Sequence, residues 1–242
     1  MVAVIPAAGL GKRMVELTKD LPKPMLKVWG KPILEHIIMQ MRKGGIDTII
    51  LIVGYKKQKI MDYFGNGSRF GVNIVYAIQD KPRGQTEALL RAAPYLDTDM
   101  FFVQMADILV PWWWYGTLKL YVTNNITGGV ITVNANGDYR AGAGVILDEN
   151  NNVLDVVEKP QDPEQKFEWN NSGIMLLNRR IISYLPKDFN DTQEIYIAEI
   201  IQNMLRAGEA FRGYPIEAHY YDFKNREAFE HYRNRRTPLF LR

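Results

Sequence analysis

The chain contains no cysteine. Disulfides and thiolate-held metals are therefore excluded, and a reducing cytoplasm is the expected setting. No apolar run approaches the roughly 20 residues that a membrane span needs. The N-terminus lacks the charged, apolar, then small order of a signal peptide, so neither a membrane nor an export route is expected. The net charge of +3 is too slight to argue for nucleic acid. The basic tail with Arg233, Arg235, Arg236 and Arg242 reads as a solvated end. There is no internal repeat, low-complexity segment or Gly/Ser linker. No hexapeptide repeat occurs, so no C-terminal β-helix domain is expected.

What remains is a chain of 242 residues with 47% hydrophobic and 24% charged positions. That suits one α/β domain with a core that needs no staples, possible as a homo-oligomer. Short apolar runs alternate with helical patterns. Strands are predicted at Val2–Pro6, Asp47–Val53, Val72–Ile78 and Met100–Met105. Helices are predicted at Pro32–Lys43, Lys57–Phe64 and Gln85–Ala93. This alternation implies βαβ units and a mostly parallel sheet. Later strands are predicted at Gly129–Asn134, Gly144–Leu147, Val153–Val157, Ile174–Leu177 and Glu217–Tyr221. Later helices are predicted at Arg179–Tyr184, Ile195–Ala207 and Asn225–Asn234.

Mostly parallel sheets bind ligands just beyond the carboxyl ends of their strands. Four places qualify: the loop from Gly9 to Lys23, the segment from Gln79, Asp107, and Asp222. The loop follows a strand at once and reads "AVIPAAGLGKRMVELTKDLPKPML". Met14 stands where a dinucleotide fingerprint needs its third glycine. Arg13 stands where a P-loop needs its hydroxyl residue. Phosphate chemistry is still possible. Glycines let backbone N–H groups approach a polyanion, Arg13 can grip phosphate oxygens in a fork, and Lys23 is a point charge stiffened by Pro22 and Pro24. On spacing alone, Lys23 fits an exposed loop lysine equally well.

Gly9-x-Gly11-x-Arg13, then Lys23 within "PKPM", resembles the signature of the sugar nucleotidyltransferases. The resemblance runs along the chain in order. "YAIQDKPRGQTEALLRA" is similar to the base-reading segment, and "FFVQMADIL" to the strand that ends in a metal-binding aspartate. "AGAGVILDENNNVLDVVEKP" and "NNSGIMLL" resemble the sugar-side segments. "YYDFKNREAF" resembles the segment carrying the second metal ligand. Ala106 and Ala143 stand where many relatives have glycine and an aromatic residue.

The resemblance implies a Rossmann-like, doubly wound, mostly parallel mixed sheet with an added sugar-binding lobe. It implies one nucleotidyltransferase domain over residues 1–242, with a nucleotide-binding half to about 110 and a sugar-binding half beyond. Ala8, Gly9, Gly11, Lys12, Gln79 and Gly84 would bind nucleotide. Gly144, Glu158, Lys159 and Asn171 would bind sugar phosphate. Arg13, Lys23 and Asp107 would be catalytic, and Asp107 and Asp222 would hold Mg2+. The implied reaction joins a nucleoside triphosphate, UTP or dTTP before CTP or GTP, to a sugar-1-phosphate, with glucose-1-phosphate as default. Alternatives are transfer from CTP to a phosphate such as phosphocholine, and a non-catalytic regulatory relative. A phosphate monoester is already an anion near neutrality, so no catalytic base is needed and His36, His219 and His231 require no role. Trp112, Trp113 and Trp114 cannot all face one side of a helix.

Overall fold

The structure is a computed structural model. It describes residues 1–242 apart from Pro82, Asn124, Asn136, Gly137, Pro163, 189–193, 217–218, Arg242 and the side chain of Lys12. In chain order the strands are β1 (Val2–Pro6), β2 (Lys27–Val28), β3 (Lys31–Pro32), β4 (Thr48–Val53), β5 (Asn73–Ile78), β6 (Met100–Gln104) and β7 (Ile108–Leu109). They continue as β8 (Gly129–Asn134), β9 (Ala143–Leu147), β10 (Val153–Glu158), β11 (Trp169–Asn178), β12 (Phe211–Pro215) and β13 (Tyr221–Asp222). The helices are α1 (Val15–Thr18), α2 (Ile33–Lys43), α3 (Lys57–Phe64), α4 (Gln85–Ala92), α5 (Trp113–Leu120), α6 (Ile197–Arg206) and α7 (Arg226–Arg233). The chain divides into two compact units. The first is Met1–Pro82, Gln104–Thr117 and His219–Arg242, and the second is Arg83–Val103 and Leu118–Ala218.

In the first unit, β1, β4 and β5 pair in parallel, with Val2 beside Thr48 and Thr48 beside Asn73. Ile49, Ile50, Leu51, Ile52 and Val53 of β4 are wholly buried. A strand apolar on both faces belongs inside a sheet, and each such side chain stabilises the fold by about 1.5–3 kcal/mol. Parallel strands need a crossover, and α2 supplies one. Ile33, Leu34, Ile37, Ile38 and Met41 form its buried stripe. Pro32 precedes the helix, and the Gly44 N–H closes it on the Gln40 carbonyl at 2.9 Å. Two short antiparallel ribbons, β2–β3 and β7–β13, complete the unit's sheet structure among the described residues.

The second unit is mixed. β9 pairs antiparallel with β10 and β11, β11 antiparallel with β8, and β8 parallel with β12. Helix α6 packs on β10 and buries Ile197, Ala198, Ile200, Ile201 and Met204. The α/β class and the mixed sheet agree with expectation, and most of the second unit's pairing is antiparallel.

Several local readings change. The predicted loop from Gly9 to Lys23 carries a 3₁₀ turn at Lys12–Met14, α1, and a second 3₁₀ turn from Lys23. Arg179–Tyr184 is 3₁₀ and not α-helical. β11 starts five residues before the predicted Ile174, because its first half is the polar Trp169–Gly173 stretch with a shift of register between Asn171 and Met175. β12 was hidden by Pro215, which ends it. The strand predicted at Glu217–Tyr221 falls partly outside the described residues, and β13 covers Tyr221–Asp222. Among the described residues, no helix is long and apolar enough to cross a membrane.

Candidate functional site

The first unit gathers residues from four distant parts of the chain. The loop after β1 bends at Gly11, whose φ of +65° lies in the left-handed region. An added Cβ there would also stand 2.9 Å from Thr18 Cγ2, so glycine is required by both angle and space. The Thr18 hydroxyl donates to the Met14 carbonyl at 3.0 Å, and the Lys56 ammonium donates to the Lys19 carbonyl. Gly9 has nothing within 4 Å of an added Cβ. Its lack of a side chain leaves open room beside the backbone. Ala8 is buried, and Arg13 is exposed.

Pro22 sets up the turn that fixes Lys23. The Met25 N–H donates to the Pro22 carbonyl at 2.8 Å, and the Leu26 N–H to the Lys23 carbonyl at 3.1 Å. The Lys23 ammonium donates to Asp107 Oδ2 and, at 3.4 Å, to the Lys224 carbonyl. Lys23 is thus held in a cluster and is not a free loop lysine.

The β7–β13 ribbon brings the two aspartates together. Asp222 sits opposite Ile108, the residue after Asp107, and the Phe223 N–H donates to the Asp107 carbonyl at 2.9 Å. Burial first, and then the charge of Asp107, push the Asp222 carboxyl up to about 6, against the pull of Lys23 and Lys224. Burial and the same two carboxylates push Tyr220 well above its usual range. Two hard oxygen donors therefore share a partly buried place, and burial with mutual repulsion makes a cation welcome there. This fits a divalent cation of the magnesium type, which takes one or two carboxylates and completes its shell with phosphate and water oxygens. Among the described residues, no group of three or more His, Cys, Asp or Glu could hold a metal by itself. Gln79 follows β5, the unit's third parallel strand. It is buried, and its N–H donates to the Val53 carbonyl at 2.9 Å.

The second unit holds another cluster. Val156, Val157, Glu158, Lys159, Tyr196, Glu199 and Gln202 line a cavity of about 310 Å³. Burial, reinforced by Glu199 and opposed by Lys159, pushes the Glu158 carboxyl up to about 7. Lys159 has a φ of +43°, unusual for a lysine, and its N–H donates to the Gly142 carbonyl at 2.7 Å. Its ammonium lies 4.0 Å from the centre of the Tyr196 ring and donates to the Tyr196 hydroxyl.

Gly144 pairs with Val157 and Asn170, and an added Cβ would stand 2.3 Å from the Phe167 ring. Its need for glycine is thus met by packing alone. Asn171 accepts from the Gly173 N–H at 2.9 Å, so its carboxamide shapes the irregular stretch of β11. Gly84 precedes α4 with a φ of +90°, and an added Cβ would stand 2.8 Å from the Ile195 carbonyl.

The structure thus brings together Lys23, Asp107 and Asp222 in one unit, and Glu158 and Lys159 in the other. The side chain of Lys12 lies outside the described residues. The sequence reading missed Tyr196 and Glu199. Tyrosine is not an ordinary helix-capping residue, so "YIAE" did not read as a cap, although the Glu199 side chain reaches back to accept from the Tyr196 N–H at 2.9 Å.

The sequence profile of a family described as Nucleotidyl transferase matches residues 2–229. The chain is 31% identical over 223 residues to the "Bifunctional protein GlmU" of Methanocaldococcus jannaschii, covering 92% of this chain and 51% of that protein. It is 32% identical over 164 residues to the "UTP--glucose-1-phosphate uridylyltransferase AglF" of Haloferax volcanii, covering 67% of each. A crystal structure described as a putative glucose-1-phosphate thymidylyltransferase from Bacillus anthracis superposes with a TM-score of 0.85 at 21% identity, covering 100% of this chain and 99% of that one. This last likeness speaks to the fold. The chain spans about half the length of the first curated relatives it matches. With a family profile matched over residues 2–229 and relatives above 30% identity, the chain belongs to the nucleotidyl transferase family.

Proposed function

We propose that this chain transfers a nucleotidyl group from a nucleoside triphosphate to a sugar-1-phosphate, releasing pyrophosphate. The observation that carries this reading is the cluster of Lys23, Asp107 and Asp222, gathered from segments far apart in the chain around one partly buried point. An oxygen of the sugar phosphate forms a bond to the α-phosphorus as the bridging α–β P–O bond breaks. The electron pair leaves with pyrophosphate. The nucleophile is already an anion, so the protein's tasks are alignment and positive charge.

Asp107 and Asp222 would hold Mg2+, which when bound supplies charge to the triphosphate oxygens. Lys23, freed from Asp107, turns its ammonium to the α-phosphate, where charge builds at the transition state. Arg13 grips the β- and γ-phosphates, beside backbone N–H groups of the stretch from Ala8 to Lys12. Gln79 and Gly84 serve the base. A carboxamide offers both a donor and an acceptor, which matches the edge of uracil or thymine. Relatives named for UTP support UTP among the two. Gly144, Glu158, Lys159 and Asn171 serve the sugar phosphate, with glucose-1-phosphate as the first candidate. The nucleotide-binding half would run to about residue 110, and the sugar-binding half beyond it. A cysteine-free chain suits the cytoplasm as its place of work.

The test is a screen of UTP, dTTP, CTP, GTP and ATP against several sugar-1-phosphates and phosphocholine, with magnesium and pyrophosphate release as readout. Release with UTP or dTTP and a hexose-1-phosphate supports the reading. Release only with CTP and phosphocholine, or with no pair, contradicts it.

A further inference from the structure

The second unit's cavity poses an electrostatic problem. Its cation, Lys159, shares the space with Glu158 and Glu199. A lysine on a flexible stem would fall onto either carboxylate and lose the charge that an incoming anion needs. Instead its ammonium rests on a neutral group, bonded to the Tyr196 hydroxyl and lying over the ring at 4.0 Å from its centre. The same hydroxyl donates onward to Glu194 at 2.8 Å, so its hydrogen is spoken for and its lone pair faces the lysine. The mount is stiff: the Tyr196 N–H donates to Glu199 Oε1 at 2.9 Å as part of the cap on α6. That bond also keeps one oxygen of Glu199 engaged at the helix. On the other side, the Lys159 backbone is fixed in its left-handed turn by Gly142.

We propose that Tyr196, oriented by Glu194, is the positioning residue for Lys159. It holds the ammonium over the cavity, out of ion pairing with Glu158 and Glu199, with its charge intact for the phosphate of the incoming sugar-1-phosphate. The inference rests on the sugar-1-phosphate reading above. A neutral partner suits this task. A phenol and a ring face bind the cation more weakly than a carboxylate would, so a phosphate oxygen displaces the phenol at little cost.

The test compares Tyr196→Phe, Glu194→Gln, Lys159→Met and the double variant Lys159→Met/Tyr196→Phe. The readouts are kcat, the KM for each substrate, and direct calorimetric binding of glucose-1-phosphate. Tyr196→Phe keeps the ring and the backbone cap but removes the oxygen. It should raise the KM for the sugar phosphate about ten- to a hundredfold, the range for a hydrogen bond to a charged group, because the released ammonium pairs with a cavity carboxylate that the phosphate must then displace. The KM for the triphosphate should stay at its wild-type value, and kcat should fall less than about threefold, since the lost contact acts on ground-state binding.

Glu194→Gln, which touches neither ring nor cap, should raise the same KM about two- to fivefold through the weakened phenol. In the Lys159→Met background, Tyr196→Phe should add nothing, because its effect passes through the lysine. A merely structural tyrosine would lower kcat and both KM values together and would add fully to Lys159→Met. That result, or wild-type sugar-phosphate binding in Tyr196→Phe and Glu194→Gln, overturns the proposal while leaving the overall activity standing. A wild-type chain that neither binds nor turns over any sugar-1-phosphate overturns the activity itself, and this inference with it.

Discussion

The two clusters handle a cation in opposite ways. In the first unit Lys23 is paired with a carboxylate, Asp107, beside a second carboxylate whose proton affinity is raised. In the second unit Lys159 rests on a phenol, while the neighbouring residue, Glu158, has its carboxyl pushed up to about 7 by burial. A lysine paired with a carboxylate is released only when something else neutralises that carboxylate, which a divalent cation can do. A lysine resting on a phenol is available at once. On the proposed reading, the first arrangement would couple lysine chemistry to metal loading, and the second would keep a charge ready for an anion without a metal.

This contrast can be broken by experiment. The largest effect is expected from Asp107→Asn and Asp222→Asn. Each should lower magnesium-dependent turnover by about 10²–10³-fold, the scale of losing one preorganised charge partner, with circular dichroism unchanged. Near-normal turnover in both variants would remove the metal from the first cluster. Lys23→Ala should cost a similar factor in kcat with little change in the triphosphate KM, because its charge is needed most in the transition state. A pure KM effect would make Lys23 a binding residue.

Smaller effects follow. Gln79→Ala should lose roughly ten- to a hundredfold in kcat/KM for the preferred triphosphate, as about 1–3 kcal/mol of buried hydrogen bonding is removed. Poorer triphosphates should lose less. Equal losses across UTP, dTTP, CTP and GTP would mean that Gln79 holds the turn and does not read the base.

The smallest effect concerns stability and pH. The Glu158 carboxyl stands at about 7 in the fold, above its ordinary range. Between that ordinary range and about 7 the folded chain binds more protons than the unfolded one, so this group's contribution is full in acid and declines as pH rises through that window. Glu158→Gln should flatten the melting temperature against pH there. An unchanged slope would mean that Glu158 is better solvated than its place in the cavity implies. Asp222, at about 6, adds the same sign of effect over a lower window.

The legible parts of the molecule were those where one segment carries its own signal. The β4 run "TIILIV" could only be a buried strand, and α2 announces itself through Pro32, an apolar stripe and Gly44. The glycine loop, Asp107 and Glu158–Lys159 stood out through their resemblance to a family. Parts that depend on distant partners were not legible. Nothing local to Tyr196 says that a lysine 37 positions earlier will rest on it. The pairing of Lys23 with Asp107 spans 84 positions and arises only when the β7–β13 ribbon forms. The first half of β11 is polar because Asn171 and Gly173 build an irregular stretch there, so no alternating pattern marks it. Gly144 shows the reverse case. The resemblance makes it a sugar contact, while its packing under Phe167, which also calls for glycine, could be seen only in the fold.

The most direct test of the central claim is pyrophosphate release by the wild-type chain with glucose-1-phosphate and UTP or dTTP, with and without magnesium. Asp107→Asn serves as the matched control. The account predicts release that requires the sugar phosphate, the pyrimidine triphosphate and the metal together, and that the control abolishes. Release that persists without the sugar phosphate, or that is equal in wild type and Asp107→Asn, would contradict it.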